Sequence, residues 1–386
     1  VTLPSRHAGA PNILDAVRVD ELDFDLPREL IATEPARPRD TARLLVVHRS
    51  RPGQIRDLTV RDLPSLLTPD DTLVFNATRV LPARFEGTNL DTGGSVSGLF
   101  LAQLAPGRWS VFVRARRHRP GRRIALTTPD GSPSPYALTL VERDASDPDA
   151  HSPAWLVELT RDSLPCAEPA PAVLDRVGRT ALPPYILSAR RELDLTPPDP
   201  RDREDYQTVY ARADDAASVA APTAGLHFTP ELLDALAARG VGRAEVLLHV
   251  GAGTFKPVEA DRVEDHPMHA EWCSRAGFDP RRLPPGQRLI AVGTTTARTL
   301  ESFASLWPDV TPRPEWLSTR LLITPGYTWR AVDGLLTNFH LPRSTLLAMV
   351  AALFPRGMDD LRPIYQHAIG ERYRFFSFGD AMLILP

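Results

Sequence analysis

Lysine is almost missing from this chain: Lys256 stands alone, and every other member of a Lys+Arg total of 45 is arginine. Together with 39 prolines this points to GC-rich coding and says little about the fold. Cysteine is nearly as scarce. Cys166 and Cys273 lie far apart with no CxxC spacing, which argues against a disulfide framework or a cysteine-built zinc site and fits a reducing cytoplasm. No apolar run reaches the roughly 18 residues that span a bilayer, and the first residues lack a basic-then-apolar leader, so neither secretion nor membrane anchoring is expected. A formal charge of −3 and a pI near 6.4 argue against non-specific nucleic-acid binding while leaving room for a local basic patch.

What is present is ample core: 386 residues with 42% hydrophobic content suit two domains, or one large domain with an insertion. Residues 1–18 mix Pro, Gly and charge without period and read as a frayed N-terminal extension. A short apolar strand runs from Leu73 to Phe75, and beyond it the texture changes. SVSGLFLAQL, WSVFVRAR, PGRRIALTT, YALTLVER and AWLVELT read as short strands between Pro, Gly and Asp clusters, which suggests a small antiparallel barrel or sandwich. RDASDPDAHSP reads as an exposed loop of that module. Downstream, strands and helices alternate. Thr229-Pro230 opens a helix toward Gly240, AEVLLHV is a buried strand, RLIAVG leads into TTTARTLESF, and LLTNF leads into an apolar helix. The expected architecture is an α/β main domain with a mixed sheet over 19–79 and 183–386, with the β module inserted at 80–182.

Chemistry concentrates between Ser218 and Glu271, where four of the ten histidines sit beside Gly- and Thr-rich turns. In PTAGLHFTPELL, a loop containing Thr223 and Gly225 delivers His227 ahead of a helix start, whose unpaired N–H groups suit a carboxylate or a developing anion. LLHVGAGTFKPV carries His249 and turns through Gly251 and Gly253, where a ligand can approach the backbone, followed by Thr254 and Lys256. Its GxG lacks the third glycine of a dinucleotide fingerprint. HPMHAE gives His266, His269 and Glu271; the HxxH spacing lacks the helical geometry of HExxH zinc enzymes, and acid-base work is the better reading. AVGTTTARTLES offers Thr294, Thr295 and Thr296 at a helix start, followed by Arg298, as a pocket for an anionic group; ordinary capping with an exposed Arg298–Glu301 pair is the plain alternative. TNFHLPRST places Asn338 and His340 at a strand end, with Ser344 and Thr345 opening the next helix. No GxSxG elbow surrounds that serine, so no hydrolase triad is indicated. RARRHRPGRRI carries Arg114, Arg116, Arg117, Arg119, Arg122 and Arg123 across a Pro-Gly turn, an electrostatic finger for phosphates or else a solvated hairpin tip.

Taken together, FDLPRELIATEPARPRDTARLLV, VFNATRVLPAR, LPPYI, DYQTVYA, SVAAPTAGLHFT, LLHVGAGTFKPV, HPMHAE, AVGTTTARTLES, LLTNFHLPRSTLL and RYRFFSFGDAMLI resemble, in order and spacing, the S-adenosylmethionine:tRNA ribosyltransferase-isomerase family of queuosine biosynthesis. The resemblance implies an α/β domain carrying an inserted β-barrel. It also implies a cytoplasmic enzyme that moves the ribosyl part of S-adenosylmethionine onto a 7-aminomethyl-7-deazaguanine base in a tRNA anticodon, giving epoxyqueuosine and releasing adenine and methionine. S-adenosylmethionine is then a co-substrate, with no metal and no prosthetic group. On that basis His227, His249, His266 and His269 are base and acid candidates oriented by Glu271. Arg298 with the Thr294–Thr296 turn would hold the methionine carboxylate or ribose, Asn338 and His340 would read adenine, and Arg79 with the hairpin arginines would face RNA.

Two stretches depart from the family pattern. VFNATRV has Ala77 where the family usually has aspartate, and TGGSVSGLF has Ser97 and Gly98 where it usually has glutamate and valine. Both touch acceptor recognition, because a carboxylate is what would pair with a cationic aminomethyl group or a guanine-like donor edge. The alternatives are therefore a paralogue using the same sulfonium chemistry on a small molecule or without tRNA, a non-catalytic RNA-binding protein, and a metal hydrolase built on His266 and His269.

Overall fold

A computed structural model describes residues 17–114, 119–144, 154–195, 199–212, 216–251, 260–268, 270–306 and 314–386. Nine strands form one mixed sheet, in spatial order Trp316–Thr319, Glu271–Ser274, Gly242–Leu248, Asp71–Asn76, Arg288–Val292, Gly334–Asn338, Ala381–Leu385, Arg43–His48 and Arg51–Thr59. Gly242–Leu248, Asp71–Asn76, Arg288–Val292 and Gly334–Asn338 run parallel to one another at its centre. Such strands are covered on both faces and read as continuous apolar runs. Every residue of Asp71–Asn76, Gly334–Asn338 and Ala381–Leu385 is buried. One face packs on the helices Thr294–Ala304, Thr345–Ala351 and Met358–Gly370 through Val74, Val246, Ala291, Leu335, Leu300, Leu347 and Ile364. The other packs on Pro230–Ala238 and its surroundings through Phe75, Leu247, Val292, Leu336, Leu232 and Leu236.

The second body is a closed six-stranded antiparallel barrel. Its strands Ala154–Arg161, Arg108–Arg114, Ser95–Ala105, Arg84–Asn89, Arg123–Thr127 and Pro133–Arg143 pair in that order, and the last returns to pair with the first. Alternation fills it. Phe85, Trp109, Val111, Ile124, Leu126, Leu138, Leu140, Val157 and Leu159 point inward, and Val173, Leu174 and Val177 of the helix Ala170–Val177 join the same core. Of the two readings the strand pattern allowed, the barrel is the one that forms. Gly98 is part of this packing: a Cβ there would come within 2.1 Å of the Phe85 ring, so the glycine makes room for Phe85. At the other end, Val17 and Val19, which the sequence assigned to the extension or its border, are already buried in the main core.

Chain direction at the sheet centre decides where a ligand can sit. The path out of Asp71–Asn76 returns to the sheet through Pro230–Ala238 on one face, whereas the path out of the adjacent Arg288–Val292 goes into Thr294–Ala304 on the other. Connections that leave neighbouring strand ends toward opposite faces open a crevice at the carboxyl edge. Asn76 holds that edge together. Its Nδ2 donates to the Leu248 carbonyl at 3.0 Å and to Thr295 Oγ1 at 3.4 Å, and its Oδ1 accepts from the Leu248 N–H at 3.0 Å and the Thr78 N–H at 3.2 Å. Replacing Asn76 by Ala strands the buried Leu248 amide and carbonyl. An urea titration should show a loss of about 2–4 kcal/mol, and a loss below about 0.5 kcal/mol would mean the edge is held by other means.

Candidate active site

Four strand ends and two loops meet at this carboxyl edge. The loop turn Thr223–His227 lies against Gly334–Asn338, and its residues form a hydrogen-bonded group with the last residue of that strand. Thr223 Oγ1 donates to Asn338 Oδ1 at 3.0 Å, and Asn338 Nδ2 reaches both the Phe376 carbonyl at 3.1 Å and His227 Nε2 at 3.2 Å. These partners fix the amide orientation, so Nδ2 donates to Nε2 and the ring proton of His227 sits on Nδ1. Burial pushes this imidazole down to about 4; Asp380 pulls the other way, and Arg374 and Arg39 add to the fall. His227 is therefore a neutral ring of fixed tautomer.

A second group crosses the sheet from Glu271. One carboxylate oxygen accepts from the Gly251 N–H at 3.1 Å, and the other accepts from Arg298 Nη1 at 2.5 Å. Arg298 is 7% exposed, yet its Nε and Nη2 have no hydrogen-bond partner among the described residues. Buried guanidinium donors are costly to leave unmade. They lie one turn into Thr294–Ala304, whose N-cap is Gly293 at φ +93° with no side chain capping the first turn. A helix start without a side-chain cap and an arginine with two unspent donors are groups that an anion could satisfy. The exposed Arg298–Glu301 pair of the plain alternative does not form. Glu301 is fully buried and accepts from the Tyr327 hydroxyl and from the N–H groups of Arg330, Ala331 and Val332.

His249 stands one residue past Gly242–Leu248, half-buried, with Nδ1 3.1 Å from Thr78 Oγ1 and its ring stacked on Trp316 at 5.4 Å. Thr78 follows Asn76 by two residues, so His249 is tied to the same junction.

Other candidates fall elsewhere. His340 pairs with Thr337 Oγ1 at 2.9 Å, its backbone N–H meets the Tyr365 hydroxyl, and burial alone pushes it down to about 4. It thus belongs to the packing under Met358–Gly370, apart from Asn338. Ser344 caps Thr345–Ala351 by accepting the Leu347 N–H. Thr295 accepts from Asn76, and Thr296 returns its hydroxyl to the Val292 carbonyl. Gly225 is required by packing, since a Cβ would lie 1.8 Å from the Tyr210 hydroxyl oxygen. His266 follows the turn Val263–Asp265 and is half-buried. Among the described residues no three of His, Cys, Asp and Glu gather as metal ligands. His269, Gly253, Thr254, Lys256, Arg116 and Arg117 lie outside the described residues. Of the hairpin arginines, Arg114, Arg119 and Arg123 are exposed, whereas Arg122 is buried, with Nε unpartnered among the described residues, so it does not belong to the finger's surface. Ala77 is fully buried, with its N–H on the Val246 carbonyl and its carbonyl accepting from Arg212.

Sequence reasoning missed Asn76, Thr78 and Trp316. For Asn76 the signal was available, as a polar residue closing an otherwise apolar strand. A cleft of about 860 Å³ lies at the opposite edge of the sheet, lined by Arg49, Gln287, Tyr327, Trp329, Arg330 and Pro386 among others. None of the histidines lines it.

The two neutral rings give the fold a pH signature. His227 and His340 drop from an ordinary 6.5 to about 4 on folding. The unfolded chain therefore takes up protons first as pH falls, so their stabilisation is complete above pH 6.5 and is lost toward pH 4. Replacing His340 by Gln should lower the proton uptake on unfolding in that window by about one, read from the pH dependence of urea stability. An unchanged slope would mean that His340 is charged in the folded protein.

Comparison with known proteins covers nearly the whole chain. The profile of the family described as queuosine biosynthesis protein matches residues 19–384. The S-adenosylmethionine:tRNA ribosyltransferase-isomerase of Novosphingobium aromaticivorans is 48% identical over 375 residues, covering 96% of this chain and 100% of that relative. The enzyme of the same name from Sphingopyxis alaskensis is 47% identical over 375 residues, covering 96% and 97%. A crystal structure of S-adenosylmethionine tRNA ribosyltransferase from Thermotoga maritima is 31% identical, covers 95% of this chain and 100% of that one, and gives a TM-score of 0.48. Because the family profile runs through barrel and sheet alike, and full-length relatives share nearly half their residues with it, this chain belongs to the queuosine biosynthesis protein family.

Proposed function

We propose that this protein transfers the ribosyl moiety of S-adenosylmethionine to the 7-aminomethyl-7-deazaguanine base of a tRNA anticodon, forming epoxyqueuosine and releasing adenine and methionine. The supporting observation is the pair of unspent Arg298 donors beside the uncapped start of Thr294–Ala304. A methionine carboxylate satisfies both. Glu271 is then a positioning residue that holds Arg298 and the Gly251 amide in register.

The sulfonium acidifies the adjacent C5′–H, and a base takes that proton. His249 is suited to the task, being half-buried and oriented through Nδ1 by Thr78. Adenine leaves with the electron pair of its glycosidic bond and needs a proton or a donor at a ring nitrogen. His227, neutral with its proton on Nδ1 and steadied by Asn338, supplies a hydrogen-bond donor rather than a strong acid. The electron pair left at C5′ breaks the C4′–O4′ ring bond and the freed oxygen becomes a carbonyl at C1′ as adenine departs; the acceptor amine adds at C4′ and loses a proton, the pair returned to C5′ bonds to C1′, and the resulting oxyanion closes the epoxide as the C–S bond breaks to release methionine. No metal or prosthetic group enters these steps. In this reading the barrel is an insertion at 80–182 between 19–79 and 183–386, its exposed arginines and Arg79 face the RNA, and the enzyme works in the cytoplasm.

Ala77 favours a second reading, the same sulfonium chemistry without tRNA, because an alanine sits in apolar packing where a carboxylate would meet the acceptor. Incubation with S-adenosylmethionine separates the two: adenine and methionine release should require tRNA bearing the precursor base, and release without RNA would favour the second. His249→Ala should cut turnover about 100-fold or more with little change in S-adenosylmethionine affinity. Arg298→Ala should weaken that affinity about tenfold or more. Wild-type behaviour in both variants would sink the assignment.

A further inference from the structure

Two of the chain's six tryptophans are turned toward solvent at the edge of the sheet beside this site: Trp272 is 59% exposed and Trp316 is 42% exposed. Indoles bring large apolar area and are usually well covered. Their strands pair antiparallel with Trp272 opposite Ser318 and Ser274 opposite Trp316, so both indoles project from the same face. Glu271 and Cys273 alternate to the opposite face, where Glu271 meets Arg298. His249 continues the pattern: its N–H bonds the Trp272 carbonyl at 3.1 Å and its ring stacks on Trp316 with planes 27° apart. Three rings from three adjacent strand ends thus form one exposed aromatic patch. The chain that tethers this patch also carries a cation. Thr78, which holds His249, is followed by Arg79, which is exposed and has no carboxylate partner among the described residues.

We propose that Trp272 and Trp316 form a stacking platform for an unpaired nucleotide of the RNA substrate, with Arg79 meeting its phosphate. The inference rests on the reading that the acceptor is an RNA. Proteins that hold single-stranded RNA combine aromatic faces, on which any base can stack, with cations that follow the backbone. The pairing of exposed indoles with an unpaired exposed arginine has that composition. It differs from the Arg298 pocket, where the donors are buried and the ligand group is small and anionic. His249 occupies part of the Trp316 face, so the base meets the remaining indole surface and Trp272. A base seated there lies next to the group that takes the proton, which ties RNA engagement to the orientation of His249.

The test uses the full-length protein and its Trp272→Ala, Trp316→Ala and Trp316→Phe variants. Two probes are titrated separately: a fluorescently labelled tRNA transcript, followed by anisotropy, and S-adenosylmethionine, followed by calorimetry. Each alanine variant should raise the Kd for the transcript about tenfold, Trp316→Phe should stay within about threefold of wild type, and S-adenosylmethionine affinity should change less than about twofold. Unchanged transcript binding in both alanine variants overturns the proposal, as does a wild type that binds no transcript. A parallel loss of S-adenosylmethionine affinity overturns it in favour of a platform for the adenosyl group. Dissociation of a dimer with RNA binding intact overturns it in favour of an interface between copies. Adenine release with precursor tRNA, measured on the wild type, judges the functional reading separately, so either can fail alone.

Discussion

The carboxamide of Asn76 is the junction on which the site depends. It closes a strand in the parallel centre of the mixed sheet with all four hydrogen-bonding positions used, joining the end of Gly242–Leu248 to the start of Thr294–Ala304 across the point where chain connections diverge. Where strands splay at a carboxyl edge, a crevice opens and backbone groups lose their ladder partners. One amide restores two of those partners at Leu248 and fixes the turn that carries Thr78. His249, the Gly251 amide and the Thr295 turn inherit their positions from it. The histidines, arginine and hydroxyls are thus held by strand ends rather than by free loops, which gives the precision that proton transfer and anion binding need.

Electrostatics divide the edge into two environments. On one face, Glu271 and Arg298 form a buried pair whose desolvation cost is offset in part by their mutual hydrogen bond and by the Gly251 amide, among other contacts of Glu271. In the proposed reading an anionic ligand completes the guanidinium's bonding. Around Asn338, burial favours the uncharged ring of His227, and the amide fixes its tautomer. The edge thus has a fixed positive centre at one end and neutral polar groups at the other, a separation that suits the ligand proposed for it.

Much of this was legible in the sequence, and the misses have physical causes. Alternation along SVSGLFLAQL, WSVFVRAR and YALTLVER marks half-buried strands, and Thr229-Pro230 marks a helix start. Both signals are local, and both elements form, with Thr229 Oγ1 accepting the Leu232 N–H. Pairings across the chain were not legible. Arg298 and Glu301 are spaced as a surface pair, but Thr294–Ala304 is covered on nearly every side, so each charge finds a remote partner instead. Asn338 and His340 sit two residues apart, yet the strand ends between them and the chain turns, sending one ring to Thr337 and leaving the amide with His227. The departures from the family pattern also separate. Gly98 answers to Phe85 inside the barrel, whereas Ala77 lies within the core one residue beyond Asn76.

In the proposed reading the chemistry belongs to the carboxyl edge of the sheet, and the cleft at the opposite edge takes no part in it. A crystal structure of the protein with S-adenosylmethionine bound addresses this claim most directly. The ligand's carboxylate should lie within hydrogen-bond distance of Arg298 Nε and Nη2 at the start of Thr294–Ala304, with its adenosyl group directed toward Asn338. Ligand density in the cleft lined by Tyr327 and Arg330, with the Arg298 donors still unpartnered, would contradict it.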